Sequence, residues 1–164
     1  MIKKNLFISS SFILLIFLLD RVSKSYVIYL NDKLLGSEIF SSKFLNIYLI
    51  WNEGIAFGLL SFDQTNLYNF VTILIISIIF FIFIMTLKSN GFKKLSFIII
   101  LGGAFGNVFD RIYYRAVPDF IDFHIGDFHW FIFNIADIFI TLGVVFLIII
   151  EIFSKTTKDK YEKL

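Results

Sequence analysis

The segment Phe131–Ile150 reads FIFNIADIFITLGVVFLIII, with one charge, Asp137, in the whole stretch. A helix that crosses a bilayer needs about 20 predominantly apolar residues, so this segment is long enough to span alone. Its carboxylate is the expensive exception. An ionisable group at that depth needs a partner or water, and it marks a functional site by default. Asn134 stands three residues before Asp137, on the same helical face.

Three further apolar stretches lie upstream. One runs from about Asn5 to Leu19 and stops at Asp20; one runs uncharged from Leu67 to Leu87; one runs from Leu95 to Phe109 and meets Asp110 and Arg111. The first and third are short, and span only if their polar ends lie inside the membrane boundary. Hydrophobic residues make up 58 % of the chain and charged residues 17 %, with a mean hydropathy of +0.84. Soluble domains run at roughly 45–50 % and about 25 %. The chain therefore reads as an all-α membrane protein of four transmembrane helices with a small extracytoplasmic β-containing loop region. It forms a single integral membrane domain over 1–164, with spans at about 5–24, 67–87, 95–112 and 131–150 and a cytoplasmic tail at 151–164. Leu18-Leu19-Asp20-Arg21 follows the first apolar run where a cleavable leader would carry small residues, so that run reads as a span. No internal repeat is present.

The lysines orient the spans. Lys3, Lys4, Lys88, Lys93, Lys94, Lys155, Lys158, Lys160 and Lys163 fall in three segments that four spans place on one side. The positive-inside rule makes that side cytoplasmic. The connections 25–66 and 112–130 then face outward. Phe44–Trp51 is rich in β-branched and aromatic residues, and Val117–Phe123 alternates acidic with apolar residues; both fit extended strands. Asp119 must stay close to the ends of both flanking spans and has room to fold back beside Asp137.

At a rise of 1.5 Å per residue, Asp20 lies about 24 Å above Lys4, Asp110 about 24 Å above Lys94, and Asp137 about 21 Å above Glu151. Three spans thus bring a carboxylate to one level. Asp20 and Lys24 are spaced to pair as i,i+4. Asn107 precedes Asp110 by three residues and Arg111 by four, and Asp110 next to Arg111 reads as a structural ion pair. Gly102-Gly103-Ala104-Phe105-Gly106 reads as a surface for close helix packing.

Several chemistries are excluded. With no cysteine, there is no disulfide, thiolate metal site or cysteine nucleophile. Gly-x-Ser-x-Gly, His-Glu-x-x-His, the P-loop and the dinucleotide fingerprint are all missing. The net charge of +2 gives no footprint for nucleic acid. His124 and His129 read as ordinary interfacial residues and not as a zinc or copper site. What remains is a set of carboxylates at one depth. Two carboxyls held close cannot both ionise cheaply, which suits either aspartic-protease chemistry or a small intramembrane proton or ion pathway. The residue chemistry leaves these two open, beside a plain scaffold.

Five pieces separate them: Asp20-x-x-x-Lys24; Asn52-x-Gly54-x-Ala56-Phe57; Gly102 through Arg111; Asp119-Phe120-Ile121-Asp122; and Phe133-Asn134-Ile135-Ala136-Asp137. In this order and spacing the chain resembles the lipoprotein signal peptidase (signal peptidase II) family over nearly its whole length. The resemblance implies a bacterial inner-membrane aspartic endopeptidase with both termini cytoplasmic and its site near the extracytoplasmic face. Its substrates would be diacylglyceryl-modified prolipoproteins, cut just before the modified cysteine. It implies Asp119 and Asp137 as the catalytic pair. Asp20, Lys24, Asn52, Gly54, Asn107, Asp110, Arg111 and Asn134 would be supporting or substrate-contacting residues. Asp110 is the rival to Asp119. No metal or organic cofactor is expected; the partners are substrate and membrane lipid, not nucleic acid. Pro118 stands where the family usually has a β-branched apolar residue.

Overall fold

Eight elements follow one another along the chain: α1 (Ile2–Lys33), β1 (Phe40–Ser41), β2 (Leu45–Asn52), α2 (Gln64–Lys88), α3 (Gly91–Tyr113), β3 (Val117–Ile125), β4 (Phe128–His129) and α4 (Ile135–Tyr161). The computed structural model describes residues 2–53 and 64–161. All four helices are long and apolar enough to cross a membrane.

Several boundaries differ from the hydropathy reading: α3 begins at Gly91 and not at 95, and α4 runs through the expected tail at 151–164 as far as Tyr161. Helix α1 does not stop near Lys24, where the first span is expected to end, but continues to Lys33. Asp20 and Lys24 are fully buried against other helices, and Val27 is buried one turn later. The charges that end the apolar run are therefore paired inside the bundle, and the backbone has no reason to break there. The helix ends where Gly36 N–H reaches Asn31 O (2.9 Å) and Leu35 adopts a left-handed conformation (φ 53°), closing a Schellman turn. At the other end, α4 starts at Ile135 and not at 131. Phe133 is extended instead: its N–H donates to Ile121 O (3.1 Å) and its O accepts from Ile121 N–H (2.8 Å). The sheet thus captures Phe133 from the start of the expected span.

Helix α3 is the central element, buried over more than half of its apolar window. Leu101 and Ala104 of α3 form the core with Ile79 of α2, flanked by Ile13 of α1 and Ile140 of α4. The small-residue run in α3 permits this closeness. A Cβ on Gly103 would lie 2.5 Å from Ala136 O of α4, and one on Gly106 would collide with the Asp20 carboxylate of α1. Backbones can approach this way only where side chains are absent. Lys93 and Glu151 pair at 2.9 Å at the far end of α3 and α4.

The strands form one antiparallel sheet in the order β1-β2-β3-β4. Phe44–Trp51 and Val117–Phe123 are its two long members, β2 and β3, as their patterning implied. Asn52 pairs with Val117, and Ile50 with Asp119, past an irregularity between Ile47 and Ile50. Asn52 and Asp119 are thus diagonal neighbours across the pair.

Candidate active site

The site forms where α4 begins. The first turn of a helix leaves N–H groups without intrahelical partners, and in a membrane protein those groups must be satisfied internally. Asn134 and Asp137 satisfy two of them reciprocally. Asp137 N–H donates to Asn134 Oδ1 (3.1 Å), and Asn134 N–H donates to Asp137 Oδ2 (3.1 Å). This is the geometry of a capping box. Ala136 N–H donates to Asp20 Oδ1 (3.0 Å) from α1. The i,i+3 spacing seen in the sequence thus serves to start a helix, and it fixes Asp137 in the process.

Asp119 reaches the same place from β3. Its two oxygens accept hydrogen bonds from Asn52 Nδ2 (2.9 Å) and Asn134 Nδ2 (2.6 Å). Asp137 accepts a second bond from Asn107 Nδ2 (2.8 Å). Asn134 therefore touches both carboxylates, one through its side chain and one through its backbone. Asp119 is 3 % exposed, and burial pushes its carboxyl up to about 6. The amide donors Asn52 and Asn134 oppose that rise, the negative charge of Asp137 adds to it, and Lys24 opposes it at longer range. A carboxyl so placed can keep a proton close to neutral pH.

A second cluster lies beside the first. Lys24 Nζ contacts Asp20 Oδ1 (2.9 Å), Asp110 Oδ2 (2.7 Å) and Asn107 Oδ1 (2.8 Å). All three ammonium protons are used. Arg21 Nη2 donates to Asp20 Oδ2 and Asp110 Oδ2, each at 2.7 Å, and Nη1 donates to Asp110 Oδ1. Its guanidinium lies 4.9 Å from the Phe109 ring centroid. Two carboxylates and two cations cancel, which is the condition for burying them.

The sequence reading missed Arg21. Asp110 pairs with Arg21 and Lys24, not with its neighbour Arg111. Adjacent helical residues point about 100° apart, and Arg111 turns to Tyr68 of α2, whose ring lies 5.9 Å away and whose hydroxyl donates to Arg111 O (2.9 Å). Asp20, Lys24, Asn52, Asn107, Asp110, Asp119, Asn134 and Asp137 do come together. Gly54 lies outside the described residues, as do Ala56 and Phe57.

Asp137 also faces an apolar cavity of about 630 Å³, walled by Phe123, Phe131, Phe133, Ile138 and Leu142. The arrangement is a polar, amide-lined carboxylate pair at the mouth of a space suited to hydrocarbon. Such a site can share a proton, activate water and hold an acyl-bearing substrate.

Comparison with known proteins agrees with this chemistry. The family model for signal peptidase (SPase) II matches residues 12–153. The lipoprotein signal peptidase of Pelagibacter ubique (strain HTCC1062) is 50 % identical over 159 residues, 96 % of each chain. That of Anaplasma marginale (strain Florida) is 38 % identical over 142 residues, 85 % of this chain and 81 % of its own. A bacterial membrane enzyme solved by the in meso method at 1.9 Å resolution superposes with a TM-score of 0.66 at 32 % identity, covering 86 % of this chain and 90 % of that one. With its family model matched over most of its length, the chain belongs to the signal peptidase II family of aspartic peptidases.

Proposed function

We propose that this multi-pass membrane peptidase removes signal peptides from diacylglyceryl-modified prolipoproteins, with Asp119 and Asp137 as its catalytic pair. The observation that carries the reading is the position of Asp137. It is tied through Asn134 to Asp119 on one side and opens onto an apolar cavity on the other. One carboxyl of the pair is protonated and donates to the scissile carbonyl oxygen. The other is ionised and takes a proton from the attacking water. Burial lifts the Asp119 carboxyl to about 6, which suits a pair that shares one proton.

Asn107 and Asn134 hold the pair at its working separation. Lys24 orients Asn107 by donating to its oxygen. The cavity receives acyl chains of the substrate cysteine, and the exposed Phe128, Trp130 and Phe131 beside it sit at the lipid boundary, where aromatic residues are favoured. The lysine-rich segments support an orientation with both termini cytoplasmic in a bacterial inner membrane and the carboxylates near the outer face. A proton or ion pathway is not favoured, because the buried charged groups gather at one end of the bundle while a pathway needs polar steps throughout.

The test is a cleavage assay on paired peptides, identical except for the diacylglyceryl group on the cysteine. The modified peptide should be cut at least about 10²-fold faster, since each buried methylene adds about 0.8 kcal/mol. Equal rates on both peptides would contradict a lipid-binding cavity.

A further inference from the structure

Strand alternation puts Asp122 and His124 on one face of β3, opposite to that of Asp119. Register does the rest. His124 pairs directly with His129 of β4, and Ile125 with Phe128, around a two-residue loop in which Gly126 takes a φ of +59°. A hairpin so tight has little freedom to slip. Three potential metal ligands are therefore delivered to one spot, each offering a ligand atom within 4.8 Å of the others. His129 Nδ1 lies 3.0 and 2.9 Å from the two Asp122 oxygens. The two imidazole rings stack with centroids 5.0 Å apart. His124 Nδ1 is buried and has no hydrogen-bond partner. Asp122 is fully buried. The two histidines that read as unrelated interfacial residues are thus a cross-strand pair over a buried carboxylate.

We propose that Asp122, His124 and His129 bind a divalent transition-metal ion of the zinc, nickel or copper class. Imidazole nitrogens and one carboxylate are the donors such ions select. Four-coordinate zinc holds nitrogen and oxygen at about 2.0–2.2 Å, and Asp122 and His129 already stand near the ligand–ligand separation this requires. A small rotation of His124 brings its ring nitrogen in. Three protein ligands leave a fourth position for water. Among the described residues this is the one group of three such ligands. It lies on the face of β3 opposite to that of Asp119. An ion there would clip β3 to β4 and fix His124, which also lines the apolar cavity.

The experiment uses the full chain without any affinity tag, purified in detergent, stripped with a chelator and titrated with Zn²⁺ by calorimetry. Co²⁺ serves as the spectroscopic probe. Binding of one ion per chain is expected, with Co²⁺ giving the intense visible bands of a four-coordinate nitrogen–oxygen site. His129→Gln and His124→Phe should each weaken Zn²⁺ binding by more than the about 10–100-fold that loss of an outer partner costs. Both variants must melt like the parent in chelator, since both side chains sit on a surface hairpin. No saturable uptake by the parent chain would overturn the proposal. So would unchanged uptake in the His124→Phe/His129→Gln double variant.

Discussion

Two carboxylate clusters share the polar end of the bundle, and they are neutralised in opposite ways. Asp20 and Asp110 face the cations Arg21 and Lys24 directly. Asp119 and Asp137 face amides: Asn52, Asn107 and Asn134. An amide donor stabilises a carboxylate without cancelling its charge. The first cluster is thus a closed set of paired charges that fastens α1 to α3 and, through Ala136, to α4. The second remains able to exchange a proton. Asn107 joins them, accepting from Lys24 and donating to Asp137. Four aspartates at one depth are alike in sequence; their partners divide them into fasteners and candidate catalysts.

The largest effect expected is on turnover. Asp137→Asn should lower cleavage on the order of 10⁴-fold, and the Asp119→Asn/Asp137→Asn double variant should lose little more, because groups acting as a unit are not additive. A double variant far worse than both singles would show the two carboxyls working independently. Lys24→Met sharpens the contrast from the other side. It leaves two buried carboxylates sharing Arg21, at a cost of about 3–5 kcal/mol, seen as a lower melting temperature in detergent. Gly106→Ala drives a methyl group into the Asp20 carboxylate and should cost about 1–3 kcal/mol by the same measurement. An unaltered melting temperature would mean that α1 and α3 can separate without loss.

The most gradual effect is on the pH dependence of stability. Asp119 titrates at about 6 in the folded chain, above the ordinary aspartate value of 3.8. The folded state therefore holds the proton more tightly between these values, and stability falls as pH rises from about 4 to about 6. Above that range the ionised, buried carboxylate is a constant burden. Asp119→Asn removes this dependence. Parent minus variant stability should decline across that window and level off above it. A difference that rises with pH would place Asp119 among the charge-paired carboxylates.

Much of this was legible in the sequence where the signal is local. Hydropathy found the four spans, helical spacing found the Asp20–Lys24 and Asn134–Asp137 contacts, and counting residues found the shared depth of three carboxylates. Alternation found β2 and β3. What escaped depends on rotation and register between elements. Nothing local distinguishes Arg21, which faces Asp110, from Arg111, which faces Tyr68. The first span reads as ending near Lys24 because hydropathy registers charges and not their buried partners, whereas α1 runs on to Lys33. His124 and His129 become neighbours only through the hairpin register. Phe131–Phe133 is apolar enough for a span, but Phe133 is bridged to Ile121 of β3 instead.

The most direct measurement compares Asp119→Asn with Asp110→Asn in the same membranes, scoring cleavage of a diacylglyceryl-modified prolipoprotein per folded molecule. Asp119→Asn should accumulate normally and be inactive, while Asp110→Asn should accumulate poorly and keep activity in the fraction that folds. A fully active Asp119→Asn beside a well-folded, inactive Asp110→Asn would contradict the division of the four carboxylates.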